Sequence, residues 1–161
     1  MTPVNPDVLQ ALSFGIQAEV AAYVFYLEAA KKAEAAPFKD VLEKLAYEEK
    51  NHFHILERQH NSLIKSEHWV STADVMKMEG LPEPEEDMSP RHKELIEQVR
   101  AADSVRKILD IAYRLEEDAH SLYIREMQRQ NSSEGKKVFE DMARFEKGHM
   151  AVINDMMKKY A

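Results

Sequence analysis

The chain has 161 residues, 44% of them apolar, with only four glycines, six prolines and no cysteine. That length suffices for one domain with a real core, and the wealth of Ala, Leu, Glu, Lys and Met points to helix over sheet. A net charge of −7 removes the attraction on which general nucleic-acid or anionic-membrane binding depends, and the lack of cysteine excludes disulfides, thiolate zinc sites, iron–sulfur clusters and redox thiols.

The N-terminal stretch Met1-Thr2-Pro3-Val4-Asn5-Pro6 has no basic region followed by an apolar run, and nowhere do about eighteen apolar residues follow one another. A soluble, cytoplasmic protein with no membrane partner is expected. Asn5, Pro6 and Asp7 form a helix start: a capping side chain, a proline in the first turn, and an acid near the positive end of the dipole. The first helix is expected over about 6–34, with Leu9, Leu12, Ile16, Val20, Tyr23, Leu27 and Ala30 as its buried stripe. Glu19 lies on that stripe, where a carboxylate is expensive unless a cation meets it.

Ala36-Pro37 ends this helix and starts the next, expected over 37–64. Its stripe is Phe38, Val41, Leu42, Leu45, Glu49, His52, Ile55, Leu56 and Leu63, apolar except at Glu49 and His52. Residues 65 to about 89 lose the periodicity, and 65–103 read as a long crossover. It holds Trp69, set to cover an end of the bundle, Pro82, Pro84, the acidic run Glu83 to Asp87, and a short helix over about 90–101 after Ser89-Pro90. Asp103-Ser104 caps the third long helix, 104–130, with the stripe Val105, Ile108, Leu109, Ala112, Glu116, Ala119 and Tyr123. Asn131-Ser132-Ser133-Glu134 has capping-box form for the fourth, 133–160, which carries Val138, Met142, Phe145, Glu146, His149, Val152, Ile153 and Met156. A long central connection lets the third helix run parallel to the second, so the expected fold is all-α, a four-helix bundle of two antiparallel hairpins.

One pattern organises these elements. Glu49-Lys50-Asn51-His52 returns as Glu146-Lys147-Gly148-His149, 97 residues on, and each motif is preceded by a glutamate 30 residues upstream, Glu19 and Glu116. On a helix, residues three apart project from one face, about 60° apart, so each Glu-x-x-His can offer a carboxylate and an imidazole to one metal ion. The 97-residue offset also pairs Leu12 with Leu109, Ala22 with Ala119, Tyr26 with Tyr123 and Val41 with Val138. The chain therefore reads as a duplicated helical hairpin. Stacking the two hairpins brings four carboxylates and two imidazoles to one level, where like charges repel unless cations or protons neutralise them.

The doubled motif, with Tyr26 and Tyr123 each seven residues after its glutamate, resembles the rubrerythrin and ferritin-like di-iron family over residues 6 to 160. The resemblance implies two iron ions, with manganese or zinc as alternative occupants. Glu19 and His52 would be terminal ligands of one ion, Glu116 and His149 of the other, and Glu49 and Glu146 would bridge them. Tyr26 and Tyr123, about 10.5 Å along their helices from those glutamates, would hydrogen-bond the carboxylates, a role set against plain core packing. Two departures stand out. Rubrerythrins typically carry a further ligand Glu where this chain has Ala119, which makes the six-ligand set closer to that of bacterioferritin; His120 is an alternative occupant of that space but lies about 40° off the ligand face. They also carry a four-cysteine rubredoxin domain, absent from this sequence. His54, His60, His68 and His92 are expected to be solvated. Met142, Met150, Met156 and Met157 are soft donors, expected as packing or surface residues.

The resemblance implies an oxidoreductase of rubrerythrin type, reducing peroxide or dioxygen by two electrons, fed by an external donor such as a rubredoxin, and homodimeric. The alternative is a ferroxidase that handles iron. Since only twelve residues follow His149, a large cage built with a fifth helix is not expected. A metal-free interaction module is a third reading, weakened by the cost of burying the acids unpaired.

Overall fold

The periodicities resolve into six helices among the described residues, 6–78 and 90–160 of a computed structural model: α1 Pro6–Lys32, α2 Ala36–Ser66, α3 Thr72–Met76, α4 Pro90–Ala101, α5 Val105–Arg129 and α6 Ser133–Tyr160. Asn5, Ser89 and the run from Pro82 to Asp87 lie outside the described residues. Helices α1 with α2 and α5 with α6 form two antiparallel hairpins, and the crossover between them carries α3 and α4.

Local chemistry sets the helix ends. Ala35 is extended and Pro37 sits in the first turn of α2, where its missing N–H costs nothing. Ser104 accepts the Lys107 amide at 3.2 Å to cap α5. At α6 the cap is Ser132, accepting from Gly135 at 3.0 Å, not the Asn131–Glu134 box that the sequence suggests. The helix still starts at Ser133, as expected, but a glycine, not the glutamate, stands at the third helical position. The short α3, unforeseen in the crossover, is capped by Ser71 through the Asp74 amide at 3.1 Å. Five residues are too few to carry a period.

Two apolar clusters fill the bundle. The first holds Val20, Ala22 to Tyr26, Leu42 and Leu45, Ile108, Leu109 and Ala112, and Ile153 with Met156. The second holds Leu12, Ile55 and Leu56, Ala119 and Tyr123, and Phe139 with Met142. In each long helix the residues of one cluster precede, and those of the other follow, a polar belt of Glu19, of Glu49 and His52, of Glu116, and of Glu146 and His149. Burying each large apolar side chain contributes about 1.5–3 kcal/mol, so the clusters clamp the belt from both ends.

Several expectations about faces need correction. Seven successive residues of α1, Val20 to Tyr26, are buried, because α1 packs on α4 and α5 as well as α2. Helix α1 is long and apolar enough to cross a membrane by length and composition, and just over half of that stretch is spent inside the bundle. His54 and His92 are buried, at 1% and 5% exposure, and so are not solvated; in contrast Val152, read as core, is exposed. Trp69 sits edge-on to Phe139 at 6.3 Å between ring centres.

Two polar side chains tie the crossover to the hairpins. Lys32, at the end of α1, donates to the carbonyls of Val99 and Arg100 at 2.9 and 2.8 Å and to that of Ala102. A cation there meets the negative end of the α4 dipole. The Gln59 amide, fully buried in α2, accepts from the Val70 N–H at 2.8 Å and donates to the Val70 carbonyl. Gln59→Ala strips both partners from Val70, and it should lower the free energy of unfolding by about 1–3 kcal/mol. A urea denaturation curve within 0.3 kcal/mol of wild type, on the order of ordinary surface scatter, would contradict this role.

Candidate metal centre

The polar belt gathers all six side chains that the sequence singles out. Glu19, Glu49, Glu116 and Glu146 are at most 1% exposed, and His52 and His149 are 6% and 4% exposed. One donor atom from each of Glu49, His52, Glu146 and His149 lies within 4.8 Å of the others. The remaining two acids complete a reciprocal pattern. His52 Nδ1 stands 3.7 Å from Glu19, 3.7 Å from Glu49 and 3.3 Å from Glu146. His149 Nδ1 stands 3.3 Å from Glu116, 3.9 Å from Glu146 and 2.8 Å from Glu49. Each imidazole therefore faces the acid of its own hairpin partner helix, the acid one turn before it, and the motif acid of the other hairpin. The two rings stack at 5.2 Å.

Tyr26 and Tyr123 serve this belt across the hairpins. The Tyr26 hydroxyl donates to Glu116 at 2.6 Å, and the Tyr123 hydroxyl to Glu19 at 2.6 Å. Both tyrosines are fully buried, and burial followed by the neighbouring carboxylate charges raises their ionisation well above the usual phenol value. They are thus fixed as donors. Tyr123 reaches Glu19 past Gly15, where an added Cβ would come within 2.9 Å of Leu56 and 3.1 Å of the Tyr123 ring. Ala119, at the place of the extra ligand of typical rubrerythrins, is buried in the second apolar cluster.

Two contacts around the histidines are not evident from the motif. His149 Nε2 lies 2.7 Å from Glu48 Oε2, and the His52 ring is stacked on Phe145 at 4.8 Å and 10°. A glutamate beside Glu49 on a Glu-rich helix carries no signal of its own. Its signal lies in the repeat, where position 48 corresponds to Phe145.

The charges in the belt divide into opposites. Burial, then the charges of Glu116 and Glu19, push Glu49 well above the usual carboxylate range, and burial with the same acids and Glu49 does so for Glu146. Burial also opposes ionisation of Glu19 and Glu116, but hydrogen bonds within the belt and the imidazole charges outweigh it and pull both down. Burial alone would lower His149; Glu49's charge and hydrogen bonds to Glu116, Glu48 and Glu49 raise it far above the usual imidazole value. Without a metal, the belt balances its negative charge with protons.

Whether such a set fits metal is answered by its unused valences. Glu19 Oε2, Glu49 Oε2, Glu116 Oε2, Glu146 Oε1 and His52 Nδ1 are buried without a hydrogen-bond partner. Orphaned carboxylate oxygens in a dry core are costly, whereas hard divalent cations take oxygen donors of this kind. The residues fit two cations.

Two expectations follow for the chelator-treated protein. Tyr26→Phe and Tyr123→Phe each deprive a buried carboxylate of its donor, so each should cost about 1–3 kcal/mol in urea denaturation, and by about the same amount, given their matching geometry. The second concerns pH. Glu49, Glu146 and His149 keep protons when folded that the unfolded chain releases above the ordinary values of 4.5 and 6.5. The stability they add is complete below those values and is lost as pH rises. Glu19 and Glu116 act oppositely, but only as pH falls below 4.5. Stability should therefore decline from about pH 6 to 9; denaturation midpoints that rise over that interval would contradict the proton assignment.

No curated protein matches the sequence. Among solved structures, a hypothetical protein from Pyrococcus furiosus is similar with a TM-score of 0.66, covering 94% of this chain and 88% of its own at 23% identity, a likeness of fold. The rubrerythrin family model matches residues 10–106 and 107–161. With nearly the whole sequence matched by that model, the chain belongs to the rubrerythrin family.

Proposed function

We propose that this protein is a non-haem di-iron oxidoreductase of rubrerythrin type, which reduces peroxide or dioxygen by two electrons. The observation that carries the reading is the reciprocal geometry of the belt, in which each Nδ1 faces three carboxylates and the spare oxygens have no other partner. Glu19 and His52 would hold one iron, Glu116 and His149 the second, and Glu49 and Glu146 would bridge them. Oxygen-rich donor sets with one imidazole per metal suit iron or manganese better than copper. When bound, two ferrous ions supply the two electrons that the oxidant takes up.

The chain's own residues do the rest. Tyr26 and Tyr123 hold Glu116 and Glu19 by one oxygen each, which leaves the other oxygen of each acid buried without a hydrogen-bond partner. The apolar clusters on either side exclude water and strengthen every electrostatic interaction between them. To bind metal, His149 must give up the proton on Nδ1, and Glu49 and Glu146 must give up theirs, so loading is coupled to proton release. With no cysteine to relay electrons, re-reduction would come from an external donor such as a rubredoxin. We further propose a cytoplasmic homodimer as the working form.

Freshly purified protein should contain two iron ions per chain by elemental analysis, and loading the chelated protein should release protons and tighten as pH rises. The double variant Glu49→Gln with Glu146→Gln should lose the metal and, with it, peroxide-dependent oxidation of the ferrous protein by at least about 100-fold. Undiminished oxidation in that variant would exclude this centre. If loaded protein instead turns over ferrous iron with dioxygen and assembles into a shell by light scattering, the ferroxidase alternative replaces the peroxidase reading.

A further inference from the structure

The belt is two-fold in its ligands but not in what stands behind them. His149, offering Nδ1 to the centre, carries its remaining N–H on Nε2, and that atom lies 2.7 Å from the Glu48 carboxylate. A carboxylate accepting from a ligating imidazole fixes its tautomer, holds the ring in place and makes the other nitrogen a stronger donor. At the repeat-equivalent position the chain has Phe145, which stacks on His52 at 4.8 Å and is covered on its own ring by Arg144 at 5.4 Å. An aromatic face fixes the ring but accepts no N–H and adds no negative charge.

We propose that Glu48 makes the two metal positions unequal: the position of Glu116 and His149 takes up a divalent cation first and holds it more tightly than that of Glu19 and His52. Glu48 is a positioning residue, acting through His149. Its side chain is 36% exposed, so the difference arises at the rim of the belt and not from a change in the buried ligands. The inference rests on the two-metal reading above. Its consequence is that loading proceeds in two distinguishable steps, with a singly loaded protein in between.

Anaerobic calorimetric titration of the chelated full chain with cobalt(II) tests it. Wild type should bind two ions in steps separated by roughly 10–100-fold in affinity, the usual effect of a partner behind a ligating histidine. Glu48→Ala should weaken the tighter step by that factor and merge the two, and Glu48→Gln, which keeps an acceptor without the charge, should fall between. In a His52→Ala background Glu48→Ala should still weaken the remaining site; in His149→Ala it should change nothing. A purely structural role would lower both backgrounds alike, and that result overturns the proposal, as does a wild type whose two steps are indifferent to Glu48. A wild type that binds no cobalt(II) would refute the two-metal reading itself, and so separates the two failures.

Discussion

Four carboxylates and two imidazoles are buried at one height in an apolar bundle, and the rest of the molecule is arranged to make that tolerable. Isolated in a medium of low dielectric, each charge would cost several kcal/mol or more. The belt answers with pairing: acids share protons, an imidazolium sits among carboxylates, and two phenols donate into the set. Such an arrangement is compact but not self-sufficient, since it leaves oxygens with nothing to bind. Metal in place of protons resolves the same charges with more of the donors used.

The clusters on either side explain how the belt stays in register. Each long helix has its polar residues between two apolar runs, so sliding any helix by one turn would carry apolar side chains to the acids and acids into a cluster. The energetic cost of such a slip is borne several times over. Register is therefore fixed by hydrophobic packing and chemistry together, which leaves little play in the positions of the ligands.

Much of this was legible in the sequence, for a physical reason. A helix converts spacing into direction, so Glu-x-x-His repeated at one offset specifies a shared face, and the 30-residue interval to Glu19 and Glu116 specifies a shared height across a tight hairpin. Spacing put Tyr26 and Tyr123 on the ligand face, and the family resemblance, not spacing, implied that they bond the acids. Spacing did not say which acid each would meet, because sequence periodicity describes one helix and not its neighbour across the bundle. His54 and His92 went astray because a residue off the main stripe can still be buried; His92, for one, lies on α4, which packs against α1. Glu48 was hidden by composition: among many surface glutamates only its contact with His149 distinguishes it.

The tyrosine bonds carry a consequence for how such a chain can be divided. Tyr26 of the first hairpin completes Glu116 of the second, and Tyr123 of the second completes Glu19 of the first. Two surfaces that each lend a residue to the other in the same way have the form of an isologous contact between identical subunits. The present hairpins therefore meet as two copies of one ancestral hairpin would have met, with covalent linkage replacing association. Within one chain the two positions of each pair can differ, as Gly15 differs from Ala112 and Glu48 from Phe145.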